Sequence, residues 1–367
     1  MLWFRLTALR FACVLPLLLA TLAPRPASAQ KQPAGDDGYL FHDSHFHLTN
    51  YVQEGTDIHR FLEIMGNKVG RCMLSGIPLQ QQWMYANTGE FAPEYYTQTD
   101  APLYYYSFTD AIIANAYLQL TPEERKRFDP MITGFNPTDM YAADHIRRVL
   151  KIFPGVFSGI GEFSIHKEFV SSKIAGEVAT LENKALDRIL EFAAEVGMPV
   201  VLHCDVNTPF PRPNQDPYIV TNLRKLAGRH RDVVIIWAHI GLGRVVRPVE
   251  DQVGMLERAL EDPESSNIHF DISWDETAKY LVATPETTEV MANLINRYPD
   301  RFLFGTDSVA PKTREQYLET YEAYAPLLAK LTPEARHQLL KGNYERIFDK
   351  ARKNVRAWEA ANARPRP

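Results

Sequence analysis

Cysteine is nearly absent: the 367-residue chain has three, and Cys13 lies in the apolar opening segment, so the body retains Cys72 and Cys204. Both fall in or beside apolar runs that read as buried strands. An oxidising compartment permits a bridge between them, but the two strands would have to face each other, and none is expected. Basic excess is also missing, with 40 Lys and Arg against 45 Asp and Glu. Phosphate-backbone binding needs clustered positive charge, so nucleic acid is not an expected partner. Repeats, low-complexity blocks and a glycine-rich dinucleotide-binding turn are lacking as well. What the chain has is core material: 45% of residues are hydrophobic and 23% charged, a balance that excludes gross disorder.

No acid precedes Asp36. Arg5 and Arg10 open the chain, Phe11 to Ala23 is apolar, and Ala27-Ser28-Ala29 supplies a small-residue cleavage pattern. This reads as a signal peptide over residues 1–29 cut after Ala29, since a spanning helix needs about 20 apolar residues. The mature protein is then expected to begin near Gln30 with a short linker to residue 38, to be periplasmic or secreted, and to keep no stable membrane insertion. Cleavage removes Arg5, Arg10 and Arg25, three positive charges, and no acid, so the formal charge moves from −5 to −8.

From Tyr39 onward, short apolar runs alternate with helical periodicity. The runs cover 39–43, 69–74, 130–135, 156–161, 199–203, 233–239, 267–272 and 301–307. Several are continuous rather than alternating, as in strands covered on both faces. Helical patterns span Asp139 to Phe153, Ala179 to Val196 and Glu286 to Tyr298. Eight strand–helix units in one chain predict a (β/α)8 TIM barrel over 39–350. After the second strand, residues 76–128 form a long insertion rich in aromatics (Trp83, Tyr85, Phe91, Tyr95, Tyr96, Tyr104, Tyr105, Tyr106, Phe108), expected over the barrel mouth. Residues 351–367 read as a final helix and a disordered tail.

Barrel active sites are built at the carboxyl ends of the strands. The first strand ends in Asp43-Ser44-His45-Phe46-His47, and alternate residues of an extended strand point the same way, so His45 and His47 can grip one cation. The fourth ends at Glu162, the fifth at His203 and the sixth at His239; the seventh carries Asp271, and the eighth ends in Gly305-Thr306-Asp307. Any one of these is most simply a hydrogen-bonded structural residue. Their coincidence on one rim is not, because burying unpaired titratable groups costs several kcal/mol without a cation. Imidazole and carboxylate without thiolate suit zinc, and also manganese or iron. Cys204 should face the helical shell, opposite to His203.

These residues, in this order, resemble the amidohydrolase superfamily, in particular the amidohydrolase-related group of metal-dependent barrel hydrolases and decarboxylases. The likeness runs from His45 to the closing Gly342-Asn343-Tyr344-Glu345-Arg346-Ile347-Phe348 segment. It implies His45, His47 and His203 as metal ligands and Asp307 as both ligand and proton acceptor for the attacking water. It implies His239 as ligand of a second metal or as the group that orients that water. The carboxylated lysine of well-known two-metal members is missing. Glu162 holds that position, as in barrel deoxyribonucleases, and either bridges two ions or sits beside one; one tightly held ion is the expectation. Arg244 is a candidate clamp for a substrate carboxylate, its alternative being a surface arginine capping a loop. Asp271 is a candidate in the substrate pocket or an acceptor that fixes a histidine. The Pro-rich loop 207–217 would form another wall.

The expected function is hydrolysis of a small-molecule ester, lactone or amide-type bond by an exported enzyme. A non-oxidative decarboxylase is the family alternative, and a non-catalytic periplasmic metal or ligand binder the reading from another class. Sequencing the amino terminus of exported protein should return Gln30 or a near neighbour; an intact Met1 contradicts the export reading.

Overall fold

The staves of the sheet are buried, and several are followed by helices with one apolar face. The computed structural model describes residues 38–51, 53–77, 90, 101–167, 179–206 and 215–362. Its strands are β1 (Phe41–Asp43), β2 (Phe46–His47), β3 (Val69–Leu74), β4 (Phe128–Ile132), β5 (Gly159–His166), β6 (Val200–Cys204), β7 (Ile235–Trp237), β8 (Ile268–Asp271), β9 (Phe302–Leu303) and β10 (Ser308–Val309). An all-parallel eight-stranded sheet runs β1-β3-β4-β5-β6-β7-β8-β9. The ring closes where β10 pairs with β2, Ser308 opposite Phe46 and Val309 opposite His47. The Asp307 amide donates to the His45 carbonyl at 2.8 Å across the same seam. The architecture is the (β/α)8 barrel expected from the eight apolar runs.

The helices follow local chemistry. In Lys184–Val196 the Asn183 side chain accepts from the Ala185 amide, Gly197 ends the helix at φ 78°, and Leu186, Ile189, Leu190, Ala193 and Val196 recur on the buried face. The helix expected over 139–153 is Ala142–Ile152, and that over 286–298 is Pro285–Arg297.

Two cores result. The larger lies between sheet and helices and takes Cys72, Leu74, Val200, Leu202, Cys204, Ile235, Trp237, Phe302 and Phe304. The smaller takes the alternate residues Met73, Met131, Val201, Ile236 and Leu303, joined by Tyr344, Ile347 and Phe348. It fills the lower lumen, as side-chain layers do in such barrels. Its last three members belong to a helix over Asn343–Asn362, which starts earlier than the expected 351 because the Gly-Asn-Tyr-Glu-Arg-Ile-Phe segment is itself the plug. Cys72 and Cys204 are both buried and free, Cys204 on the helical side.

Of the aromatic insertion, Trp83, Tyr85, Phe91, Tyr95 and Tyr96 lie outside the described residues, as do the leader and residues 207–214 of the Pro-rich loop. The Tyr104 hydroxyl donates to the Tyr51 carbonyl, while Tyr105 and Phe108 are exposed. Thr109–Gln119 is a helix, so the later part of that stretch is an ordinary barrel helix rather than insertion.

The seam depends on Asp43. Its Oδ1 accepts from the amides of His45 (3.1 Å) and Thr306 (2.9 Å), and its Oδ2 from the hydroxyls of Thr306 (2.7 Å) and Tyr317 (2.8 Å). Burial nevertheless drives the carboxyl up to about 6. Asp43→Ala strands four buried donors and should cost about 3–5 kcal/mol of stability, readable by chemical denaturation; a loss within experimental error would deny Asp43 this role.

Candidate metal centre and active site

Phe46 packs outward on Phe61, with ring centres 3.9 Å apart, so His45 and His47 on either side of it face the lumen. His203 continues the inward row begun by Val201, and Asp271 stands opposite in parity to the outward Phe270. His239 and Glu162 do not follow simple alternation. Ile235 and Trp237 face outward, and His239 would too, but His239 and Ile240 adopt φ of 55° and 49°, and this left-handed turn brings the imidazole inward. On β5, Ile160 and Phe163 both face the helices, with a register shift between them. That shift re-aims Glu162 into the lumen, as bulges do beside functional sites. Gly161, at φ 108°, packs where a Cβ would strike the Val201 carbonyl. Gly305 is equally constrained, since a Cβ there would lie 2.6 Å from that of His45. Asp307 sits at φ 51°. Such left-handed positions cost about 1–3 kcal/mol each and persist where the surroundings over-determine them.

All six side chains meet. The His45 Nε2 lies 3.6 Å from Glu162 Oε2 and 3.4 Å from Asp307 Oδ1. The His47 Nε2 lies 3.4 and 3.2 Å from the same two atoms. The His239 Nε2 lies 3.7 Å from Glu162 Oε1 and 3.8 Å from Asp307 Oδ2. His203 is closer, its Nδ1 at 2.5 Å from Glu162 Oε1. Every imidazole has its outer nitrogen pinned: His45 Nδ1 by Asp271 (2.7 Å), His47 Nδ1 by the Gly76 carbonyl (2.9 Å), His203 Nε2 by Asp205 (2.9 Å), and His239 Nδ1 by Ser273 Oγ (2.9 Å). Asp271 thus fixes a histidine, and Arg244 stands apart. The Arg244 side chain is half exposed, 3.6 Å from Glu276, with its guanidinium 5.8 Å from the Trp274 ring centre.

The arrangement fits a divalent cation. His45 Nε2 and His239 Nε2 are buried and have no hydrogen-bond partner among the described residues. Separations of 3.2–3.8 Å are at or beyond the long end of N–H···O hydrogen bonds. They match atoms sharing one ion, which lie ~3.4 Å apart when tetrahedral at ~2.1 Å from it. Among the described residues three ligand groups arise: His45, His239 and Asp307; His45, His47 and Glu162; and Glu162, His203 and His239. Outward pinning of ligating imidazoles is what metal sites use to fix tautomer and orientation.

The field at this point favours positive charge. Burial opposes charging His45 and His47, but Asp271, Asp307 and Glu162 outweigh it and hold both above the ordinary histidine range. Burial likewise opposes ionising Asp307, but His239, His45 and His47 hold its carboxyl well below the usual range. Glu162 is lowered against burial by Lys167 and His203. Burial, aided by His45 and His203, pulls His239 below the ordinary histidine range.

The sequence model of an amidohydrolase family, described as "Amidohydrolase", matches residues 43–350. The chain belongs to this amidohydrolase family. It is an enzyme of amidohydrolase type, and the family is metal-dependent. None of the curated proteins matches this amidohydrolase. Among solved structures it is similar to an uncharacterised TIM-barrel protein from Bordetella bronchiseptica, at 13% identity, covering 85% of this chain and 99% of that one with a TM-score of 0.50. It is also similar to a candidate 2-pyrone-4,6-dicarboxylic acid hydrolase from Pseudomonas putida, at 15% identity, 85% and 98% coverage and a TM-score of 0.50. A third is a candidate amidohydrolase from Staphylococcus aureus, at 14% identity, 84% and 99% coverage and a TM-score of 0.50. At these identities the likeness establishes the shared barrel.

Sequence reasoning missed Asp205, Ser273 and Trp274. The first two repeat the spacing of His45 and His47: each stands two residues beyond an inward group, His203 or Asp271, and so shares its face. Trp274, at φ 82°, lies against His239 with ring centres 5.0 Å apart, and Lys167 stands 5.9 Å from its ring. No spacing rule flags a residue placed by a strained turn.

Protons and a cation compete for this centre. The raised His45 and His47 stabilise cation-free protein fully below about pH 6.5, and that contribution is lost as pH rises through their folded values. Added zinc should therefore raise Tm more at about pH 8 than at about pH 6 in scanning calorimetry. An equal gain at both would contradict this electrostatic account.

Proposed function

We propose that this amidohydrolase is an exported, metal-dependent hydrolase of an ester, lactone or amide-type bond in a small molecule. The observation that carries the reading is an acceptor-rich centre with one carboxylate at its edge. The Asp307 side chain is 10% exposed, whereas those of His45, His47, His203, His239 and Glu162 are at most 3% exposed. His45, His47, His203, Glu162 and Asp307 would hold the cation, proposed as zinc because nitrogen and carboxylate oxygen supply the donors. Glu162 turns Oε2 to His45 and His47 and Oε1 to His203 and His239, which suits one tightly held ion and a second, weaker one.

A bound divalent cation supplies Lewis-acid polarisation of the scissile carbonyl and acidifies water toward a pKa of ~7. Asp307 takes the proton of the attacking water on a carboxylate oxygen and returns it to the leaving group. His239, buried, turns its Nε2 toward Glu162 Oε1 and Asp307 Oδ2, where it would help to hold the cation. Trp274 lies against His239 beside the centre. The acidic mature chain supports a small molecule over a nucleic acid as substrate. Lys167, 5.9 Å from the Trp274 ring and acting on Glu162, places positive charge near the centre, suited to a carboxylate-bearing substrate. That charge is the observation favouring decarboxylation of an aromatic acid as the second reading.

A panel of esters, lactones, amides and aromatic acids, assayed with zinc-loaded protein, separates the two. On the best substrate Asp307→Asn should lose about 10²–10⁴-fold in kcat. Wild-type turnover by that variant at equal metal content would refute the assigned role.

A further inference from the structure

Ser273 is fully buried and its hydroxyl contacts two groups at once. Oγ lies 2.6 Å from Asp271 Oδ2 and 2.9 Å from His239 Nδ1, and the Ser273 carbonyl is 3.4 Å from the same nitrogen. The Ser273 amide donates to Asp271 Oδ1 at 2.9 Å. A hydroxyl has one proton. An ionised carboxylate only accepts, and an oxygen pair 2.6 Å apart with no proton between them would repel. The Ser273 proton is therefore committed to Asp271, and its oxygen is left as acceptor. His239 Nδ1 must then carry the hydrogen, because both groups facing it, Ser273 Oγ and the Ser273 carbonyl, accept. This fixes Nε2 as the bare nitrogen, the atom turned toward Glu162 and Asp307.

The same carboxylate holds His45. Asp271 Oδ2 accepts from His45 Nδ1 at 2.7 Å, so Nε2 is the His45 nitrogen turned to the centre and the one a cation would take in place of a proton. The two rings stand 4.7 Å apart, one from the first stave and one from the sixth. We infer that Ser273 is a positioning residue that extends Asp271 to His239, so that one buried carboxylate sets the tautomers of two inward-facing imidazoles together. The inference rests on the cation-centred reading above and adds to it the group that makes His239 a lone-pair donor.

The test uses full-length mature protein, chelator-competition affinity for zinc alone, and ¹⁵N spectra of histidine-labelled protein in which His239→Asn assigns the His239 signals. Wild type should show His239 protonated at Nδ1. Ser273→Ala should bind zinc about 10–100-fold more weakly, and its His239 signals should move toward the Nε2–H form. Ser273→Thr, which keeps the hydroxyl, should restore both readouts. Unchanged affinity and unchanged ¹⁵N shifts in Ser273→Ala would overturn the inference alone. Weaker binding with His239 still protonated at Nδ1 would also overturn it, leaving Ser273 a packing residue. Failure of wild type to bind zinc, or any divalent cation, would instead remove the metal-centred reading and this inference with it.

Discussion

Two carboxylates, Glu162 and Asp307, stand buried together at the top of the lumen, and much of the upper barrel answers to that fact. Negative charges cannot be taken out of water without compensation, at several kcal/mol each. Here four inward imidazoles surround them, each fixed from behind by Asp271, Gly76, Asp205 or Ser273. These partners come from five of the eight staves or the turns that end them, and the two carboxylates from two more. Only a closed ring brings them to one point, which makes the seam between β2 and β10 a condition for the site as well as for the fold.

The barrel is divided along its axis. Below, Met73, Met131, Val201, Ile236 and Leu303 pack against Tyr344, Ile347 and Phe348 of the final helix. At that rim Asp129 accepts from Arg71, Arg352 and Tyr344, and Arg346 donates to the Asp300 carbonyl. These groups are paired locally and stabilise the closure. Above, the inward nitrogens of His45 and His239 have no partner among the described residues, and backbone strain gathers at His239, Trp274 and Asp307. Stability and chemistry thus occupy opposite ends, as the barrel architecture allows.

The eight apolar runs and the polar residues ending them were legible because burial on both faces writes continuous hydrophobic segments, and because a titratable side chain stands out against them. The period-two rule sufficed for His45 and His47. It fails for His239 and Glu162, whose inward aim comes from a left-handed turn and a register shift that no alternation pattern encodes. The fourth apolar run stops at 161, whereas the strand continues to His166, since Glu162, Ser164 and His166 interrupt its apolar character while remaining in the sheet. Asp205 and Ser273 obey the rule that pairs His45 with His47, but they lie one and two residues past the ends of their strands. The final helix was placed too late because its opening residues look like strand-following loop until the lower core claims them.

Glu162 and Asp307 are chemically alike, so their division of labour has to come from environment. Glu162 is 1% exposed and engaged at 2.5 Å with His203, which Asp205 holds from the other side. A proton placed on Glu162 would be held in that short contact with His203, out of reach of a substrate. Asp307 has no imidazole nearer than 3.2 Å, lies on the solvent side, and is tethered through its own amide to the His45 carbonyl. Its carboxylate can therefore exchange a proton with a substrate while its backbone stays fixed in the seam. Of the two, Asp307 is the one whose protonation leaves the surrounding network intact, and a group that must accept and return a proton within one turnover needs that property.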